Sequence, residues 1–222
     1  MKKLSATILI SAILLVTGGA WADVVTIVNL SFESPNVPQQ FFVDFSQIPG
    51  WDLLQGDAGI WNIDTGANGA THGTRSVYLG AQDGARPTAV ITQLLAYLIS
   101  DGDQFELSFD GWSWSAGVGV RAELYYLDAL TPVIIATDDF IASVSGTAGL
   151  ERYTLILDTP LPSGAIDQNL GILFTTLGPD DQYTGLDSVT LTVTPGGGDI
   201  PEPATMGLLA AGGIALLKRR RK

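Results

Sequence analysis

FELSFDGWSW, Phe105 to Trp114, is the stretch from which the fold class is read. Phe105, Leu107 and Phe109 alternate with Glu106, Ser108 and Asp110. A period of two makes one face of an extended strand apolar and the other polar, whereas a helix needs apolar residues three and four apart. The same period recurs outward in both directions. VVTIV, SVYLG, TAVITQLL, VGVRAELYYL, VIIATDDFIA, RYTLILD, LGILFTT and LDSVTLTV are rich in β-branched and aromatic residues. Turn formers punctuate them: Asn68-Gly69, Asp83-Gly84, Asp101-Gly102, Ser145-Gly146 and the GPDD run from Gly178. No long amphipathic helix interrupts the pattern. Residues 23–193 therefore read as an all-β jelly-roll sandwich of about nine or ten strands. A parallel β-helix would show a fixed repeat, and none is visible.

The opening stretch also carries the first candidate site. If the strand runs on without a break, Trp112 and Trp114 fall on the polar face with Asp110. Tyr125, on the polar face of the following strand, becomes their expected neighbour. Flat rings among Asp, Glu, Ser and Arg suit sugar binding, with rings stacking on the sugar and polar groups taking its hydroxyls. A bulge at Gly111 would instead flip the register and bury both tryptophans. Trp51 and Trp61 lie beside Gly and Pro in loop-like sequence, where they are expected to plug one end of the sandwich; lining a loop-end site is the alternative.

Composition narrows the partners. All 23 acidic residues of the 222-residue chain lie between Asp23 and Glu202. Only Arg75, Arg86, Arg121 and Arg152 oppose them there, a formal charge of −19 with no lysine. Such a field repels nucleic acid and anionic lipid and attracts cations. The chain has no cysteine, so neither disulfides nor thiol chemistry contribute.

Both termini carry targeting features. MKKLSATILISAILLVTGGAWA has a basic start, an apolar run and the small-x-small triplet Ala20-Trp21-Ala22. Residues 1–22 read as a signal helix that signal peptidase removes after Ala22; an uncleaved anchor is the alternative. At the other end, the TPGGGD stretch makes 194–200 a glycine-rich linker. Pro201-Glu202-Pro203 then precede fourteen mostly apolar residues, Ala204 to Leu217, and the cluster KRRRK. As a helix, that run reaches about 21 Å, short of the roughly 30 Å hydrocarbon core. The basic block favours the cytoplasmic side.

Pro-Glu-Pro, a short apolar helix and a terminal basic cluster together resemble the PEP-CTERM sorting signal of Gram-negative bacteria. The resemblance implies a precursor transiently inserted in the inner membrane through 201–222. An exosortase then cleaves near Pro201, Glu202 and Pro203 and releases the protein to the surface or an exopolysaccharide matrix. It covers the last tenth of the chain and says nothing about the body.

A second, looser resemblance runs along the body. VNLSFESP (Val28 to Pro35), PGW, AGIWN, GTRSVYLG, TAVITQLL, DGDQFELSFD and GLDSVTLTV follow the order of motifs in galactose-binding-like jelly rolls and carbohydrate-binding modules. Such modules often share a structural calcium between first and last strands. By that resemblance Glu33 and Asp187 are its side-chain ligands, and Ser188 stands where a second Asp is usual. Two carboxylates with backbone carbonyls suit the six to eight oxygens calcium takes. The alternative is a solvated Glu33 and a turn Asp187.

Catalysis finds little support. His72 is the only histidine and no Gly-x-Ser-x-Gly occurs. The expectation is an exported, non-catalytic protein that binds polysaccharide through its sandwich. A structural or adhesive biofilm-matrix protein is the alternative, and a glycan hydrolase with two carboxylates a distant third.

Overall fold

The computed structural model describes residues 22–34, 43–62, 75–80, 87–113, 115–142, 151–179 and 182–196. The signal and tail helices expected from sequence, and the 201–222 motif, lie outside them. The described residues form twelve strands and two short 3₁₀ turns. The strands are β1 (Asp23–Val25), β2 (Val43–Asp44), β3 (Asp52–Gln55), β4 (Ala58–Asn62), β5 (Arg75–Gly80), β6 (Val90–Leu98), β7 (Gln104–Ser113), β8 (Gly119–Asp128), β9 (Thr131–Ile141), β10 (Glu151–Leu157), β11 (Asn169–Leu177) and β12 (Tyr183–Thr194). The protein is an all-β, jelly-roll-like sandwich of two antiparallel sheets. The count exceeds nine or ten because β2 holds only two residues, too few to show a period, and β3 and β4 fall in the stretch around Trp51 and Trp61 that reads as loop.

The larger sheet runs β10-β7-β12-β5-β4-β2, with β1 also pairing β12; the smaller runs β3-β6-β11-β8-β9. Consecutive β7 and β8 thus lie in different sheets. Between the sheets sit Phe105, Leu107 and Phe109 of β7, facing Leu170, Ile172 and Phe174 of β11, all at most 1% exposed. Each such side chain contributes about 1.5–3 kcal/mol by leaving water. Trp51 belongs to this core, with its ring 5.3 Å from Phe32 and 6.0 Å from Phe174.

Strand β7 passes through Gly111 without a shift: Gly111 opposes Glu151 on one side and Leu186 on the other. The bulge lies instead in β12, between Asp187 and Thr190, where Ser188 takes φ +50. One extra residue there reverses the parity of the strand. Val189, Leu191 and Val193 point inward, and so does Leu186. Asp187 and Gly185 consequently face outward beside Asp110 and Trp112.

Candidate functional site on the outer face of the larger sheet

Register aligns one row of side chains across five strands of this face. Trp61 opposes Ser76, and Val77 opposite Leu186 places Ser76 beside Asp187. Asp187 opposes Asp110, which opposes Arg152. Directly opposed residues share a face, with Cβ atoms about 5 Å apart. The row reads Trp61, Ser76, Asp187, Asp110, Arg152. Asp187 is wholly buried and Asp110 nearly so. The Ser188 N–H, turned by the bulge, donates to Asp187 Oδ1 at 2.6 Å. Arg152 donates to Asp110 Oδ1 at 3.1 Å, to the Ser188 carbonyl at 3.0 Å and to Thr190 Oγ1 at 2.8 Å. The bulge therefore both aims Asp187 outward and presents a carbonyl to Arg152.

The neighbouring row is Gly59, Tyr78, Gly185 and Trp112. The Trp112 indole lies across Gly185, where a Cβ would stand 1.9 Å from Nε1. Its N–H donates to Ser76 Oγ at 3.2 Å. Trp61, half-buried, meets it edge-on at 5.4 Å. Tyr78 is buried, with Tyr183 packed edge-on at 5.9 Å and its hydroxyl reaching Asp57 Oδ1 at 3.5 Å. An aromatic wall thus borders a row of two carboxylates and a guanidinium.

The residues singled out from sequence are distributed differently from expectation. Trp112 is on the polar face, as an unbroken β7 requires, yet only 3% exposed, because Gly185 lets it lie down on the sheet. Tyr125 is not its neighbour: it sits on the outer face of the other sheet, 4% exposed, sharing a 2.8 Å hydrogen bond with Thr92 Oγ1. Trp114, His72, Ala20, Pro201, Glu202 and Pro203 lie outside the described residues; Ala22 is exposed. Asp110 stands on the polar face as read, Trp61 stands in β4 and not in a loop, and Ser76 and Arg152 were missed. A parity break in LDSVTLTV, with Leu186 out of step with Val189, Leu191 and Val193, was the one available signal for the bulge.

Glu33, expected as a calcium ligand, meets a cation of the chain itself. Glu33 Oε1 accepts the Arg75 backbone N–H at 2.9 Å, and Oε2 accepts the Arg75 guanidinium at 3.0 Å. Arg75 also donates to the Glu33 carbonyl at 2.7 Å. Among the described residues no three His, Cys, Asp or Glu gather as a metal site.

The fold and the tail together define a surface-sorted jelly-roll protein. Residues 199–222 match the PEP-CTERM protein-sorting motif, which marks the chain for export and surface or extracellular sorting. The chain belongs to the HpiC1-like family, whose model, described as HpiC1 cyclase, matches residues 23–192. Among solved structures it is similar to a Stig cyclase, FisC, from Fischerella sp. TAU, in complex with (3Z)-3-(1-methyl-2-pyrrolidinylidene)-3H-indole. That match has 20% identity and TM-score 0.64, covering 79% of this chain and all of that one. A Fischerella sp. TAU cyclase in complex with 4-(1H-indol-3-yl)butan-2-one matches at 19% identity and TM-score 0.61, covering 78% and 98%. An arabinose-bound GH51 α-L-arabinofuranosidase matches at 14% identity and TM-score 0.52, covering 80% of this chain and 27% of that one. At these identities the structural likenesses establish the fold. No curated protein matches the chain. Among the described residues no helix is long and apolar enough to cross a membrane.

Proposed function

We propose that this is an exported, non-catalytic binding protein, and that its outer-face row holds a sugar ring of a surface or matrix polysaccharide. The tail first holds the precursor in the inner membrane; an exosortase then frees it to the cell surface or matrix. The observation that carries the binding reading is the alignment of half-buried Trp61 with Asp187, Asp110 and Arg152 on one face. Trp61 offers a ring face for stacking, with Trp112 as its support. Arg152, whose side chain is 45% exposed, donates to the sugar hydroxyls, and the buried Asp110 accepts from it and holds it in place. Thr190, and Ser108 and Thr154 joined at 3.2 Å, continue the polar strip.

One observation favours a second reading, acid-assisted chemistry on a flat aromatic ligand. Asp187 is 0% exposed beside an aromatic wall, and the relatives above belong to a cyclase family and hold indole compounds. On that reading Asp187 is the proton donor.

Affinity electrophoresis of the signal-cleaved chain in neutral and acidic polysaccharide gels tests the first reading, with Trp61→Ala, Trp114→Ala and Asp187→Asn beside the parent. Retardation lost with Trp61→Ala supports it. No retardation in any gel, together with tryptophan quenching by 4-(1H-indol-3-yl)butan-2-one that Asp187→Asn abolishes, replaces it with the second.

A further inference from the structure

Asp103 takes no part in the outer-face site, yet it is a carboxylate only 2% exposed. It sits in the turn between β6 and β7 and gathers three donors. Tyr97 Oη and the Ser100 N–H reach Oδ2 at 2.7 and 2.8 Å. The third donor comes from the far end of the chain: the Gly196 N–H reaches Oδ1 at 3.2 Å. Gly196 also seats directly on the turn, where a Cβ would stand 2.2 Å from the Asp101 carbonyl oxygen and 2.4 Å from the Gly102 carbonyl carbon. Just before it, Thr194 pairs Gln104 of β7, and Val193 pairs Asp23 of β1. Burial and the Asp103 carboxylate both push the Tyr97 phenol above its ordinary range, so it remains a donor to that carboxylate.

We infer that Asp103 is a latch that holds the chain at Gly196, ahead of the sorting motif, and so limits the reach of the processing enzyme to that motif. The inference rests on the sorting reading of the tail. Gly197 to Ile200 are the four residues between the held glycine and Pro201, at most about 14 Å of extended chain. A membrane-embedded protease must work at that motif beside a domain, residues 23–196, of formal charge −17, which anionic headgroups repel. A short tether therefore restrains cleavage, and each residue released from the latch adds about 3.4 Å of reach. Asp103 is on this account a positioning residue for processing, with no contact to the cleaved bond.

The full chain is expressed in an exosortase-bearing host, and conversion of precursor to mature form is followed by mass. Three changes are compared with the parent: Asp103→Ala, Gly196→Ala, and insertion of Gly-Ser-Gly-Ser after Gly196. Gly196→Ala unseats the glycine without touching β7, so it stands if Asp103→Ala fails to fold. Hydrogen exchange at the Gly196 amide, measured on purified precursor, reports the latch itself. The expected result is faster exchange in both point variants and at least about twofold faster initial conversion in all three. Gly196 protection unchanged in both variants overturns the latch. Faster exchange with unchanged conversion overturns its role in processing. A Pro201→Ala/Glu202→Ala/Pro203→Ala variant that is still converted would instead sink the sorting reading on which the inference stands.

Discussion

Trp112 and Tyr125 use one device on opposite outer faces of the sandwich. Trp112 of β7 lies across Gly185 of β12 and ends on Ser76 of β5. Tyr125 of β8 lies across Gly171 of β11, where a Cβ would stand 2.2 Å from its ring, and ends on Thr92 of β6. The hydroxyl stands two residues diagonally from the glycine's partner in both cases, since Gly185 opposes Tyr78 and Gly171 opposes Leu94. The surroundings differ. Beside Trp112 runs the row Asp187, Asp110 and Arg152, with Trp61 packed against the indole. Around Tyr125 stand Leu94 and Ile134, 47% and 41% exposed, while the Thr92 hydroxyl donates a hydrogen bond to the Ile172 carbonyl at 2.8 Å. An aromatic laid over a glycine is thus a way of finishing a sheet face. The neighbouring charged row is what makes one of the two a candidate site.

Glycine replacement tests the shared device most severely. Gly185→Ala is expected to cost about 2–3 kcal/mol in urea unfolding, near the upper end for overpacking, because Trp61 blocks the indole's retreat. Gly171→Ala should cost about 1 kcal/mol, since Tyr125 can lift away between exposed neighbours. Equal costs, or the reverse order, would break the comparison.

Asp187→Asn sharpens the functional half of it. Retardation in polysaccharide gels should fall about tenfold, equivalent to about 1.4 kcal/mol. Thr92→Val, on the Tyr125 face, should leave retardation unchanged. A loss in the second variant would mean that the charged row is not what distinguishes the two faces.

The polar ends of the rings come next. Ser76→Ala removes the acceptor at the Trp112 N–H and should cost about 1–2 kcal/mol, with a shift in tryptophan emission. Tyr125→Phe should cost less, about 0.5–1 kcal/mol, because Thr92 keeps its bond to Ile172. Emission unchanged in Ser76→Ala would show that Ser76 does not hold the indole.

The smallest effect separates the faces by pH. On the Tyr125 face Arg121 donates to Asp139 at 2.6 and 3.0 Å and holds its carboxyl below the ordinary range. A depressed carboxyl stabilises the folded state above its unfolded value, about pH 4, and that stabilisation is lost as pH falls through the lower folded value. Both side chains are nearly half exposed, so the contribution is about 0.2–1 kcal/mol. Asp139→Asn should flatten the loss of urea stability below about pH 4 by that amount; an unchanged slope removes the pair from the account.

The opening and closing segments show how far a linear reading reaches. FELSFDG alternates without fault, and β7 follows it through Gly111, a glycine that invites a bulge. LDSVTLTV alternates as well, but its apolar set changes parity between Leu186 and Val189, and there the strand does bulge. Placing Asp110 and Trp112 on the outer face needed only the first pattern. Placing Asp187 beside them needed the second. Glu33 was legible as a charged residue near the start, but not as the partner of Arg75, 42 residues away.

Alternation is a property of neighbours along the chain, and a sorting signal is read as a linear string. The amino-acid sequence by itself therefore determined the β class, the polar face of β7, the acidic body and the PEP-CTERM tail. Burial and pairing are properties of strands far apart in sequence. Only the tertiary structure decided that β7 and β8 part into separate sheets, that Gly185 makes room for Trp112, that Arg75 meets Glu33, and that a bulge at Ser188 turns Asp187 outward. A strand's two faces are fixed by its own geometry; what covers each face is fixed by partners that its own residues do not name.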